Sequence, residues 1–263
     1  MLFRNDYGDP SILNAKNLLR EARRQKSITK ASVPHICILD PDGDIVEYLR
    51  KEGQASPNAS WGCYHTDLHT FLLGKMKVGI VGYAVGSSFA VLVAEELFAS
   101  GCKLLISMTS AGRLHSPAEA IRFLLISKSL RDEGTSRNYV PSAPFAHLDA
   151  KLLRKLSFRL KSSPVPIGIG TAWTTDAPFR ETERAIAHAV KHSAECVEME
   201  SAALYSFAHA CKRNVICIAH LTNSMAQSKG DFEKGVENGS IESLNLIRYL
   251  IKAVRSNKTK DLE

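Results

Sequence analysis

Residues 78–109 read VGIVGYAVGSSFAVLVAEELFASGCKLLISMT. A compact run rich in β-branched residues, Val78–Tyr83, is followed by a segment in which Phe89, Val93, Glu96 and Leu97 recur at spacings of three and four. That spacing is the signature of a half-buried helix, and Gly101 supplies its stop signal. A second apolar run, Lys103–Thr109, follows at once. Neither run alternates polar with apolar residues, as expected of strands covered on both faces. Strand, helix and strand in this order predict an α/β fold with a mainly parallel or mixed sheet.

The same pattern extends in both directions. Further strands are expected at Val33–Leu39, Val165–Thr171 and Val215–Leu221, with a shorter one at Cys196–Met199. Helical periodicity covers Pro10–Lys30, Pro178–Lys191, Ser201–Lys212 and Ser240–Ser256 as well as Ser88–Ser100. Ile121–Ile126 reads equally as a strand or as part of a helix, and Gly134 to Pro144 as loop. With no internal repeat, low-complexity tract or linker, residues 1–263 are expected to form a single domain.

Composition narrows the function classes. Hydrophobic residues make up 44% of the 263 and charged residues 23%, ordinary values for a globular chain. No apolar run approaches the ~20 residues of a membrane span, and Met1 to Asp9 carry no hydrophobic signal core. The net charge of +7 is local. It gathers in residues 16–30 and 151–161, which read as solvated faces of amphipathic helices rather than as a nucleic-acid surface, since no interleaved aromatic row accompanies them. Six cysteines without CxxC or metal-type spacing read as small buried hydrophobes in a reducing compartment, the cytoplasm by default. The histidine pairs 65/69 and 188/192 have helical i, i+4 spacing, but no carboxylate or cysteine at a matching offset completes either, so no metal is expected.

Ligand sites of α/β folds gather beyond the carboxyl ends of strands, and several loops there carry chemistry. In Asp40-Pro-Asp-Gly-Asp44, Gly43 permits a tight turn whose amides can meet an anion, the three carboxylates can hold a cation instead, and plain turn chemistry also accounts for it. Ser107-Met-Thr-Ser-Ala-Gly112 offers hydroxyls and freed amides for phosphate or sugar oxygens through Thr109, Ser110 and Gly112. In residues 171–182, Trp173 and Phe179 offer faces for a planar base. At Glu198-Met-Glu-Ser-Ala-Ala203, residues 198 and 200 share one side of an extended segment, and a carboxylate there can accept both hydroxyl protons of a ribose. Asn223, beyond the last strand, both donates and accepts, which suits the edge of a heterocycle. The structural alternatives are core aromatics, helix-end acids and a turn asparagine.

Taken in order, DPDGD (40–44), VGIVGYAVGSSFAVLVAEEL (78–97), ISMTSAG (106–112), TTDAPFRET (174–182), VEMESAALYSFA (197–208) and HLTNSMAQ (220–227) resemble the nucleoside phosphorylase superfamily, which contains purine nucleoside phosphorylases, uridine phosphorylases and related nucleosidases. The resemblance implies a three-layer α/β fold: a central mixed β-sheet curled toward a barrel and surrounded by helices, in a homo-oligomer (dimer, trimer or hexamer). It implies cleavage of the N-glycosidic bond of a nucleoside, with inorganic phosphate as co-substrate in phosphorylases, water in nucleosidases, and no other cofactor. On this chain Glu200 would grip the ribose hydroxyls with Met199 packed beside the sugar, and Glu198 would line the same pocket. Asn223 would face a purine base and steady it as it leaves. Thr109, Ser110 and Gly112 fall on one phosphate loop and Gly43 on the other.

Two departures stand out. Phosphorylases commonly place an arginine three residues before the loop serine, where this chain has Ser107. They carry another shortly after the first loop, where it offers Glu47 and only later Arg50. Bidentate arginine contacts are the strong way to hold phosphate. A purine nucleoside phosphorylase is therefore the first reading. A nucleosidase, with Asp40, Asp42 or Asp44 orienting a water, is the second, and a non-catalytic nucleoside-binding protein of the same fold the third.

Overall fold

The computed structural model describes residues 7–114, 121–221 and 234–256. From the N-terminus the elements are α1 (Ala15–Gln25), β1 (Ile36–Asp40), α2 (Asp44–Lys51), β2 (Ala55–Pro57), β3 (Leu68–Leu73), β4 (Met76–Gly82) and α3 (Ser87–Ala99). Then come β5 (Leu104–Arg113), β6 (Phe123–Asp132), β7 (Phe145–His147), α4 (Ala150–Leu160), β8 (Ile167–Thr175) and α5 (Glu183–Lys191). The last four are β9 (Ala194–Glu198), α6 (Ser201–Cys211), β10 (Val215–Leu221) and α7 (Ser240–Arg255). The strand–helix–strand reading of residues 78–109 holds, with boundaries shifted by a few residues.

Among the described residues the strands form one mixed sheet in the order β10-β6-β8-β9-β5-β1-β4-β3-β2, with β7 on β6. An additional pairing of β10 with β5 closes five strands into a barrel-like ring, and β1, β4, β3 and β2 extend from it. This is the curled sheet the resemblance implied. Closure needs local bending, and register shifts at Ile126/Lys128 and Thr171/Ala172 supply it. The ambiguous segment from 121 resolves as β6, a strand.

Helix ends follow local chemistry. Asn14 accepts the N–H of Asn17 and starts α1 later than expected. Thr182 likewise caps α5, while Pro178–Arg180 forms a separate short 3₁₀ turn. α4 buries Leu152, Leu156 and Leu160 along one side and exposes Lys151 and Arg154, while Lys155 and Arg159 are half-buried and donate to Val254 and Ser256 at the end of α7, so the solvated face read for residues 151–161 is only partial. In the core, the buried Tyr205 donates to the carbonyl of Ile126 at 2.5 Å and accepts the N–H of Cys217 at 3.1 Å, tying α6 to two barrel strands. No helix among the described residues is long and apolar enough to cross a membrane.

Candidate active site

The turns after β1 and β4, the strand β5 and the junction of β9 with α6 meet at one place. Glu200 stands at the start of α6 and is 2% exposed. Its Oε1 accepts the N–H of Gly86 at 2.7 Å and its Oε2 accepts the Thr109 hydroxyl at 3.1 Å. Gly86, at φ 90°, starts α3, and Ser87 donates its hydroxyl to the Met199 carbonyl at 2.7 Å. The amino ends of α3 and α6 are thereby latched together, which favours anionic groups between them. Burial nevertheless dominates, and with help from the neighbouring Glu198 charge it pushes the Glu200 carboxyl up to about 8.

Glu198 does different work from the role the resemblance gave it. Its Oε2 accepts the N–H groups of Glu200 at 2.8 Å and Ser201 at 2.7 Å. Its Oε1 accepts the hydroxyls of Thr174 at 2.5 Å and Ser201 at 2.7 Å. These four bonds use the carboxylate fully, so Glu198 caps α6 and holds the strand end rather than lining the pocket. Burial raises its pKa as well.

The register of β8 on β9 pairs Trp173 with Val197 and Thr174 with Glu198. Successive side chains of a strand face opposite ways, so Trp173 turns from Glu198. Its indole donates to Asp132 at 3.0 Å and packs with Leu130, Ala189, Ala194 and Val197 beneath α5. Trp173 belongs to that outer cluster and, with Asp132 and His188, lines a cavity of about 420 Å³ on the strand face turned from Glu198. Phe179, 99% exposed on the short turn, presents no enclosed face to a base. Thr174, one residue along, is the inward member of the pair, and only the register identifies it. Gly86 and Ser87 were also not singled out, although a Gly-Ser pair opening an apolar helix is a signal that can be read.

The two phosphate loops also differ from expectation. The Gly43 N–H donates to the Asp40 carbonyl at 3.0 Å, closing the turn instead of facing an anion. Gly43 has φ 85°, and a Cβ there would lie 2.2 Å from the Tyr83 ring. On the second loop, the Ser110 N–H donates to Asp42 Oδ2 at 2.7 Å. A carboxylate of the chain itself thus occupies the amide expected to meet phosphate. Lys234 bridges Asp44 at 2.5 Å and Asp42 at 3.7 Å. Asp40 accepts the Val46 N–H at 2.9 Å, and burial raises its carboxyl to about 7. Ser107 is buried inside the sheet, 1% exposed, and its hydroxyl has no partner among the described residues. Gly112 pairs with Val197 where β5 meets β9.

Arg113, at the end of β5, donates from one Nη to the Ile121 carbonyl at 2.5 Å while its other Nη is buried without a partner among the described residues, and Arg180 is exposed. His65 precedes β3 and His69 lies on it, so that pair is not on a helix. His188 and His192 do meet, with ring centroids 4.4 Å apart. Asn223 lies outside the described residues. His220, on the strand that leads to it, is buried and stacks on Phe123 at 4.8 Å, and burial lowers its pKa.

This assembly of a buried paired-acid junction, two helix amino ends and the end of β5 on a five-strand ring has a clear kinship. The family model described as Phosphorylase superfamily matches residues 35–255. The chain belongs to the phosphorylase superfamily. Members of this family are nucleoside phosphorylases and nucleosidases, glycosyl-transferring enzymes. The superfamily chain is 26% identical over 174 residues to a DeoD-type purine nucleoside phosphorylase of Brevibacillus brevis, covering 63% of this chain and 73% of the relative. The crystal structure of a uridine phosphorylase from Vibrio fischeri superposes with a TM-score of 0.72 at 18% identity, covering 89% of this chain and 99% of that one. A 5'-methylthioadenosine/S-adenosylhomocysteine nucleosidase from Campylobacter jejuni gives 0.66 at 17% identity, covering 83% and 99%. At those identities both structures speak for the fold alone.

Proposed function

We propose that the protein cleaves the N-glycosidic bond of a nucleoside and that water, rather than phosphate, accepts the sugar. The carrying observation is the Asp42 carboxylate on the Ser110 amide at 2.7 Å. A phosphate dianion entering that loop would have to displace Asp42 and then stand beside it. At ~4 Å, each pair of like unit charges costs about 4 kcal/mol at an effective dielectric of 20. No arginine offsets this from position 107, and Lys234 is engaged by Asp42 and Asp44. A water at the same place meets a carboxylate able to accept its hydrogen bond and take its proton as the bond to C1′ forms.

Glu200 is the sugar clasp in this reading. Each of its oxygens accepts one protein hydrogen bond and keeps a lone pair for a ribose hydroxyl. Holding both hydroxyls fixes the pentose while positive charge develops at C1′. We take the leaving base to be a purine on the role expected of Asn223, and the Brevibacillus relative, a purine nucleoside phosphorylase, supports that choice. Phosphorolysis is the second reading, favoured by Lys234, whose ammonium reaches Asp42 and Asp44 of the first loop. A panel of nucleosides incubated with and without phosphate, with free base, ribose and ribose 1-phosphate quantified, tests both. Base release that is indifferent to phosphate and yields ribose supports hydrolysis. Strict dependence on phosphate supports phosphorolysis, and saturable binding without turnover leaves only a nucleoside-binding protein.

A further inference from the structure

The geometry points to a separate phosphoryl-binding pocket built by Lys26, Arg50, His65 and His69. A cavity of about 310 Å³ opens between the end of α1, α2, the start of β3 and the turn after β4. Lysine, arginine and two histidines line it, with Asp67 the one acid among its described lining residues. His69 is 9% exposed, and its buried Nδ1 has no hydrogen-bond partner among the described residues. Buried polar atoms are nearly always paired, so the orphan Nδ1 leaves His69 an unsatisfied side chain beside a polar cavity.

The surrounding donors define that group. Lys26 donates to the Cys63 carbonyl at 2.5 Å, and Arg50 donates to Glu47 at 2.7 Å. Each retains further N–H donors, since an ammonium has three and a guanidinium five. Thr66 adds a hydroxyl to the lining. Several donors of positive or titratable character around one cavity suit a tetrahedral oxyanion, whose oxygens accept from many directions, better than a neutral ligand. The group is either inorganic phosphate or the phosphomonoester of a sugar or nucleotide. Tyr83 lines this cavity and also covers Gly43, and it stands three positions before Gly86, at most about 10 Å of chain. The site stands whether or not the neighbouring centre is hydrolytic.

His69 couples binding to pH. It faces Arg50 and Glu47 from α2, Asp67 before β3, Tyr83 after β4 and Lys26 after α1. Burial first, and the Arg50 charge second, lower its pKa, while Glu47 and Asp67 oppose them. An anion against the ring favours the protonated form, so binding takes up a proton and tightens as pH falls.

The test is titration calorimetry of the full chain near neutral pH, in two buffers of different ionisation enthalpy. The titrants are inorganic phosphate, ribose 5-phosphate and a nucleoside 5'-monophosphate. We expect saturable binding of at least one of them with proton uptake. Binding of inorganic phosphate identifies the free anion as ligand, and binding of the esters alone identifies a substrate-borne phosphate. His69→Gln removes the uptake, and it and Arg50→Gln each weaken binding about tenfold or more. His69→Gln and Arg50→Gln weaken binding with Asp42 and Ser110 untouched, which separates this pocket from the site at Ser110. Binding of none of the three, wild-type binding without proton uptake, equal displacement by chloride at matched ionic strength, or insensitivity to both His69→Gln and Arg50→Gln overturns the proposal. Proton uptake by the wild-type protein decides the matter if a variant fails to fold.

Discussion

Asp42 and Ser110, 68 positions apart in the chain, are joined by a 2.7 Å bond from the serine N–H to the aspartate Oδ2. This bond places a carboxylate where the two-loop arrangement otherwise presents amides to an anion. Asp42→Asn keeps an acceptor for the Ser110 N–H but cannot take a proton. Base release should fall roughly 10²-fold or more, the usual range for a lost general base, with little change in KM. Unchanged kcat would remove Asp42 from the chemistry.

Glu200 accepts from Gly86 and Thr109, and in the proposed function it clasps the sugar. Glu200→Ala should lower kcat/KM by well over ~10²-fold, given typical losses when a positioning group is removed. Because its carboxyl is raised to about 8, kcat/KM of the wild-type enzyme should rise with pH up to about that value as the acceptor form appears. The residual activity of Glu200→Gln should lack this limb. A pH profile identical in the two proteins would contradict the assignment.

Asp40 offers a stability measurement that does not depend on turnover. Its folded-state pKa of about 7 lies above its ordinary value of 3.8 because the carboxyl is buried. The folded state therefore holds its proton longer than the unfolded chain does. The corresponding stability is complete at acid pH, below the ordinary value, and is lost as pH rises toward 7, by at most about 1.4 kcal/mol per pH unit. Urea midpoints followed over this range should show a shallower pH slope in Asp40→Asn. Parallel slopes would show that Asp40 titrates normally.

Glu198 is assigned a structural task, so its removal should read out in stability. Glu198→Ala leaves two buried N–H groups and two hydroxyls without their acceptor. At about 1–3 kcal/mol for each buried unsatisfied group, a loss of several kcal/mol is expected, seen as a large drop in Tm. Thr174→Val removes a single donor to that carboxylate and should cost distinctly less. Equal stabilities of wild type and Glu198→Ala would return Glu198 to the ligand pocket.

Much of this architecture is legible in the chain because β1, β4, β5 and β10 are apolar on both faces. β10 occupies the expected Val215–Leu221 without adjustment. β6 is harder because Ser127, Lys128 and Ser129 interrupt its apolar run. Ser129 faces the buried Thr174 hydroxyl at 2.6 Å, and a polar pair inside a closed ring has no local sequence signature. Glu200 is legible from a carboxylate set between an apolar strand and a helix. Trp173 and Thr174 fall on opposite faces of β8, and an aromatic ring carries no mark of the face on which it falls. The Asp42–Ser110 bond depends on the pairing of β1 with β5, which brings distant loops together and cannot be read from either loop alone.

Phosphorus NMR of a purine nucleoside incubated with the enzyme in saturating phosphate addresses the acceptor directly. With water as acceptor, free base accumulates while the phosphorus signal remains that of inorganic phosphate and ribose appears in the proton spectrum. A sugar-phosphate ester signal growing in step with free base would contradict the assignment of Asp42 and restore phosphate to the loop at Ser110.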